Sequence, residues 1–142
     1  MDKRDLVIVE SLLEDARMPY SALARELGIS EAAVRKRVRN LESAGIIAKY
    51  TIRVDPGALG YDAIAIIGID TEPDALVHVR EKIRAMKGVR YTSLSSGDHM
   101  LLFGIWCKDM KELQSVITKA KSLPGVTKIC PAVMLKSVEY CE

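Results

Sequence analysis

Residues 21–47 read SALARELGISEAAVRKRVRNLESAGII, and this stretch decides the N-terminal fold. Two helices that cross at a steep angle need small or apolar side chains at their contact and a tight reversal between them. Leu23, Ala24, Gly28, Ile29 and Val34 meet both needs. Ala24 lets the helices approach, Gly28 permits the reversal after the first of them, and Ser30 is placed to N-cap the second. At about 100° per residue, Val34, Val38 and Leu41 share the inward side of the second helix. Ala32, Lys36, Arg39 and Ser43 lie opposite, with Ala33 and Arg35 on the flanks, and the helix is expected to end at Gly45. Short side chains at its start let such a helix enter a DNA major groove, while the cations beyond them reach base edges or phosphates.

Upstream, Asp2 to Glu14 reads as a third helix, with Asp2 or Asp5 near its start and Leu6, Val9, Leu12 and Leu13 as its buried stripe. Charge segregates around the helix pair. Glu31 to Lys49 holds five cations (Arg35, Lys36, Arg37, Arg39, Lys49) against two anions (Glu31, Glu42), and the rest of the chain is nearly balanced.

The 142 residues carry a net charge of +2, so nucleic-acid binding has to rest on that local cluster rather than on a global field. Hydrophobic residues make up 49% of the chain, enough for two small cored domains. No apolar run reaches the roughly 18 residues that span a bilayer, and the N-terminus has no apolar signal core; no membrane partner and a cytoplasmic location are expected. Cys107, Cys130 and Cys141 are widely separated, without the close pairing of zinc or redox motifs. Cys107 and Cys130 read as small apolar strand residues and Cys141 as a tail thiol; no metal and no cofactor are expected.

After Gly45 the pattern changes. Ile46 to Val54 is rich in branched and aromatic residues and reads as a linking strand, stopped by Asp55-Pro56-Gly57. From Ala63 the chain repeats itself once. Ile64 to Ile69 is a strand, Pro73 to Lys87 a helix and Val89 to Ser95 a strand; Leu101 to Cys107, Met110 to Ser122 and Val126 to Val138 form the second round. The joins match, Met86-Lys87-Gly88-Val89 against Leu123-Pro124-Gly125-Val126. A βαββαβ order gives a four-stranded antiparallel sheet with both helices on one face, the ferredoxin-like arrangement. Ile64, Ile66, Leu101, Phe103, Ile105, Val133 and Leu135 are too many apolar residues for one side of a small sheet, so a second copy is expected to cover the open face. The fold class is therefore α+β, with a helix-turn-helix domain over residues 1–48, a linking strand and turn over 49–62, and a ferredoxin-like domain over 63–142.

The order and spacing of Asp15-Ala16-Arg17, Leu23-Ala24, Leu27-Gly28-Ile29-Ser30, Val34, Arg37, Leu41-Glu42, Gly45-Ile46-Ile47, Asp55-Pro56 and Leu59-Gly60 closely resemble the Lrp/AsnC group of transcription factors, the feast/famine regulators. The resemblance runs almost end to end. It implies a C-terminal domain that mediates homodimerisation, assembly of dimers into tetramers or octamers, and binding of a small effector, usually an amino acid. The expected partner is double-stranded DNA at pseudo-palindromic sites, with half-sites one helical turn (about 34–36 Å) or a multiple apart. The effector is then expected to change oligomeric state or DNA affinity.

Candidate DNA-binding residues are Tyr20, Ser21, Ser30, Ala32, Ala33, Arg35, Lys36, Arg37 and Arg39. Lys36 and Arg39 suit bases or phosphates and Arg35 a flank. Ser30, Tyr20 and Ser21 stand at helix starts where phosphates bind. Arg37 matches the family's recognition-helix arginine, yet lies about 60° from the apolar face, which suits a phosphate contact or an ion pair with Glu42 or another acid. The resemblance places the effector around a glycine turn between the middle strands, in which an aspartate commonly follows the glycine by three positions. Here the run is Ser95-Ser96-Gly97-Asp98-His99-Met100, and Met100 stands in the aspartate's place. Asp98 is the candidate partner for an effector ammonium, and Ser95, Ser96 and the Gly97 backbone for its carboxylate. Two alternatives accompany this reading: an architectural protein that wraps DNA with little sequence preference, and an enzyme like the family's tetrapyrrole decarboxylases. The second is disfavoured, because His78 and His99 are the only histidines and no catalytic motif is visible.

Overall fold

The computed structural model describes residues 1–135. The chain divides into two compact units, Met1–Arg53 and the remainder from Val54.

In the first unit, α1 (Lys3–Glu14), α2 (Tyr20–Leu27) and α3 (Glu31–Ser43) close over a core of Ile8, Leu12, Leu23, Ala24, Val34, Val38 and Leu41. A reciprocal capping box starts α1: the Asp2 carboxylate accepts from the Asp5 N–H, and the Asp5 carboxylate accepts from the Asp2 N–H. Gly28 takes the left-handed conformation at φ 63°, as the reversal between α2 and α3 requires. The expected stripe on α1 is corrected. Ile8 and Leu12 are buried and Val9 partly so, whereas Leu6 and Leu13 are 44% and 80% exposed. The inward row runs Asp5, Ile8, Leu12, one residue round the wheel from the apolar one, because Asp5 turns in to meet an arginine of α3. The expected linking strand over Ile46 to Val54 is corrected too. Among the described residues it forms no strand and joins no sheet ladder, since branched residues favour an extended backbone but do not by themselves supply a paired neighbour.

The second unit is β1 (Ala63–Thr71), α4 (Leu76–Arg84, entered through a 3₁₀ turn at Pro73–Ala75), β2 (Val89–Leu94), β3 (Leu101–Cys107), α5 (Met110–Lys121) and β4 (Val126–Val133). The antiparallel sheet runs in the order β2-β3-β1-β4, which completes the ferredoxin-like βαββαβ domain of this α+β chain. Both repeat joins end in a left-handed glycine, Gly88 at φ 89° and Gly125 at φ 85°. A Cβ at Gly125 would overlap Ala75, and one at Gly88 would sit 2.6 Å from the Trp106 carbonyl. Glycine serves both joins for reach as well as for conformation.

The apolar residues assigned to one sheet face divide between two. Ala63, Ala65, Ile67 and Ile69 of β1, with Leu101, Phe103 and Ile105 of β3, pack beneath α4 and α5 around Val79, Ile83 and Leu113. Ile64 and Ile66 point to the other face with Leu102 and Trp106, as the β1–β3 register requires, and are only partly buried. Val133 and Leu135 are 36% and 96% exposed. Cys107 is buried on β3, where burial and then the neighbouring Glu112 and Asp109 push its thiol pKa up; Cys130 is half-buried on β4. The last positions of the expected final strand, 136–138, and Cys141 lie outside the described residues.

Candidate nucleic-acid interface and effector site

The surface of α3 follows from its wheel. Burying Val34, Val38 and Leu41 turns Ala32, Lys36, Arg39 and Ser43 to solvent, and all four are exposed. Ser30 caps the helix, its hydroxyl accepting from the Ala33 N–H at 3.2 Å, while its own O–H stays available to donate. Ala32 is exposed and Ala33 partly so; both leave the first turn shallow. Lys36 and Arg39 hold no ion pair among the described residues. Arg35 is tied on both sides: it donates to the Glu31 carboxylate at 2.9 Å, and its guanidinium lies 5.3 Å from the centre of the Tyr20 ring. Ser21 is exposed in the first turn of α2, which has no side-chain cap to compete for its leading N–H groups.

Arg37 differs from its neighbours. Its guanidinium donates to Asp2 at 2.8 Å and to Asp5 at 2.7 Å, which locks α3 to the start of α1. Glu42, the other acid considered, instead accepts from the Tyr50 hydroxyl at 2.9 Å. The capping N–H groups, and then Arg37, hold both aspartyl carboxyls below their ordinary range. A carboxyl lowered by folding contributes stability above its unfolded pKa of about 3.9, and loses it as the pH falls through the folded value. The helical melting temperature of the first unit should therefore fall as the pH drops below about 4. Melting by circular dichroism between pH 5 and 2.5 checks this, and Asp5→Asn should flatten the acid-side loss. An equally steep loss in that variant would remove Asp5 from the account.

In the second unit the expected effector turn lies at the end of the β2–β3 hairpin. The Ser95 N–H bonds the Met100 carbonyl at 3.0 Å and closes it. The Ser95 hydroxyl accepts from the Gly97 N–H at 3.0 Å, so that backbone donor is already used. Ser95, Ser96, Gly97 and Asp98 are exposed, whereas His99 and Met100 are partly buried.

The carboxylate beside this turn comes from another strand. Asp70, on β1, accepts from the Met100 N–H at 3.1 Å, and its second oxygen lies 3.2 Å from His99 Nδ1. The His99 hydrogen bond, the Met100 N–H and the charge of Lys128, the cross-strand neighbour of Asp70, outweigh desolvation and hold the Asp70 carboxyl below its ordinary range. Glycine makes the arrangement fit. A Cβ at Gly68 would overlap the His99 ring, and one at Gly104 the Tyr91 ring, so each ring occupies the space above its glycine on the open face. Sequence reasoning missed Asp70, whose only signal was its place at the end of a strand that must pair with β3. His78 lies exposed on α4 and is not among the residues bonded to Asp70.

Among the described residues no helix is long and apolar enough to cross a membrane, and no group of histidine, cysteine and acidic side chains could hold a metal ion.

Comparison with known proteins matches both units. Residues 1–48 fit the winged helix-turn-helix DNA-binding profile and residues 64–141 the Lrp/AsnC ligand-binding domain. The transcriptional regulator LrpA of Pyrococcus horikoshii is 48% identical over 140 residues, covering 98% of this chain and 99% of the relative. Among solved structures, AsnC of E. coli superposes with a TM-score of 0.85 at 26% identity, covering 100% of this chain and 97% of that one. A transcriptional regulator from Neisseria meningitidis, solved as its complex with L-Met, shares the fold with a TM-score of 0.85 at 23% identity, over 99% of this chain and 93% of that one. A three-helix reader with an exposed cationic face, a ferredoxin-like second unit and end-to-end likeness to named regulators agree, and the chain belongs to the Lrp/AsnC family of DNA-binding transcriptional regulators with an effector domain.

Proposed function

We propose that this regulator binds specific DNA sequences through α3 and changes its DNA affinity or assembly on binding an amino acid. The observation that carries the first half is the division of cations on α3. Arg37 is spent on Asp2 and Asp5, while Lys36 and Arg39 project from the exposed face beyond a shallow alanine turn. In this reading Lys36 and Arg39 contact bases or phosphates. Arg35, Tyr20, Ser21 and Ser30 position the backbone, and Ala32 and Ala33 allow close entry.

The effector half rests on Asp70. The family's usual aspartate is replaced by Met100, yet the Asp70 carboxylate reaches the same turn by bonding the Met100 N–H. It suits an amino-acid ammonium, with the Ser95 and Ser96 hydroxyls on hand for the carboxylate; the solved relative with L-Met supports the ligand class. A homodimer, assembling further into tetramers or octamers, covers the open face that carries Ile64, Ile66, Leu102 and Trp106, and fits a pseudo-palindromic operator read in the cytoplasm.

Selection of bound duplexes from random DNA, with and without a mixture of amino acids, tests both halves. A palindrome with half-sites about 34–36 Å apart, or a multiple, is the expected product. Salt-sensitive binding without enrichment would leave an architectural protein instead. Asp70→Asn should weaken the amino-acid response by about 10–100-fold, the worth of a hydrogen bond to a charged group. An unchanged response in titrations of that variant would take Asp70 out of the site.

A further inference from the structure

Asn40 is the only asparagine in the chain, and it stands in the interior of α3. Asparagine is a poor helix former, because its amide competes for backbone groups in non-helical conformations. The fold gives nothing in return. The Asn40 side chain is exposed and has no hydrogen-bond partner among the described residues. A residue that weakens its helix and makes no contact within the fold finds its use outside it.

The wheel places Asn40 on the reading face. It follows Lys36 by four residues, which sets it about 40° round the helix and about 6 Å further along. The buried side, Val34, Val38 and Leu41, lies about 100° or more away. Asn40 and Lys36 line an open hollow of about 450 Å³ that also takes in Ala33, Ala44 and Ile46. Arg37 and Asp5 line it too, but their charges are spent on each other.

Chemistry separates Asn40 from the cations beside it. Lys36 and Arg39 carry donors only, which match the two acceptors of guanine, N7 and O6. Adenine shows an acceptor at N7 and a donor at N6, so a single side chain that reads both has to donate and accept. A carboxamide does so, and Asn40 is the only one on α3. Ala33, Ala44 and Ile46 leave apolar surface in the same hollow, which suits the methyl of the paired thymine.

We propose that Asn40 is a specificity-determining residue that reads an adenine in each half-site, through paired hydrogen bonds to N6 and N7. The inference rests on the reading of α3 as the element that selects sequence. It adds an A·T requirement to whatever Lys36 and Arg39 select.

Selection from random DNA with the wild-type chain and with Asn40→Ala, followed by binding curves on the selected operator and on a random duplex, tests it. The wild-type operator should hold an A·T pair, at one position of each half-site, that the variant no longer prefers. Asn40→Ala should bind that operator about tenfold or more weakly, as expected for loss of a bidentate base contact. Its affinity for random duplex and its salt dependence should stay unchanged, because a neutral amide displaces no counterions. Replacing the adenine by 7-deazaadenine, which lacks the N7 acceptor, should weaken wild-type binding and leave the variant unaffected. The variant's melting temperature should hold or rise, since alanine is the better helix former. Selection of the same positions with equal strength by both chains would overturn the inference and leave Lys36 and Arg39 as readers. So would an equal loss on operator and random duplex. If the wild-type chain itself enriched no sequence, the reading of α3 would fail and this inference with it.

Discussion

Phe103→Ala should destabilise the second unit by about 3–5 kcal/mol, the cost of deleting a fully buried aromatic side chain whose space the surroundings fill only in part. Phe103 is the largest wholly buried side chain in the chain's described residues. It sits on β3 between strands whose inward residues already pack against Val79, Ile83 and Leu113. Sheet pairing on both sides of β3 fixes the backbone, so the cavity has little freedom to collapse. A loss of this size is a large share of the roughly 5–15 kcal/mol that stabilises a typical domain. The measurement is urea unfolding followed by fluorescence. Trp106, the only tryptophan, lies on the same strand beneath Arg90 and reports on this unit alone. Leu23→Ala is the companion variant, because Leu23 is fully buried in the first unit's separate core. It should lower the helical signal of that unit and move the Trp106 transition much less. A Phe103→Ala loss below about 1 kcal/mol would mean that the core repacks, contrary to the usual cost of such a cavity.

The two units differed in how much of them could be read from sequence, and the difference is physical. The outward face of α3 was legible because Val34, Val38 and Leu41 fix the helix's rotation, and the rest of the wheel follows. The glycine joins were legible because a helix that stops and a strand that starts at once need a left-handed residue, which Gly88 and Gly125 supply. On α1 the apolar pattern misled, since Asp5 occupies an inward position that hydrophobicity assigns to solvent; only its partner Arg37, more than thirty residues away, explains it. The sheet faces were obscured because β1 reads Ala-Ile-Ala-Ile-Ile-Gly-Ile, nearly all apolar, so alternation gives no sign of which side is covered. Asp70 and Arg90 were invisible for a third reason. Each depends on strand register: the β1–β3 pairing sets Asp70 beside Met100, and the β2 bulge turns Arg90 over Trp106.

Lys36→Ala and Arg39→Ala should each weaken binding to the selected operator by about 10–100-fold, the equivalent of 1–3 kcal/mol for a side chain that reads a base. The two ways in which a cation can act give different results on random DNA. A base reader loses affinity for the operator and little for random duplex, and specificity relaxes at one position. A phosphate contact weakens both alike, and its removal reduces the dependence of log affinity on log salt by about one unit. Arg37→Ala is the decisive comparison. With its guanidinium shared between Asp2 and Asp5, its loss should lower the melting temperature of the first unit and weaken operator and random DNA together through misplacement of α3. Binding curves for the three variants on both DNAs at two salt concentrations, with melting curves alongside, separate these roles. If Arg37→Ala relaxed a single operator position and left the melting temperature unchanged, its ion pairs would not survive on DNA and Arg37 would be a reader. If Lys36→Ala and Arg39→Ala lost affinity equally on every sequence, the α3 cations would hold the backbone only and specificity would arise from Asn40 or from DNA shape and deformability.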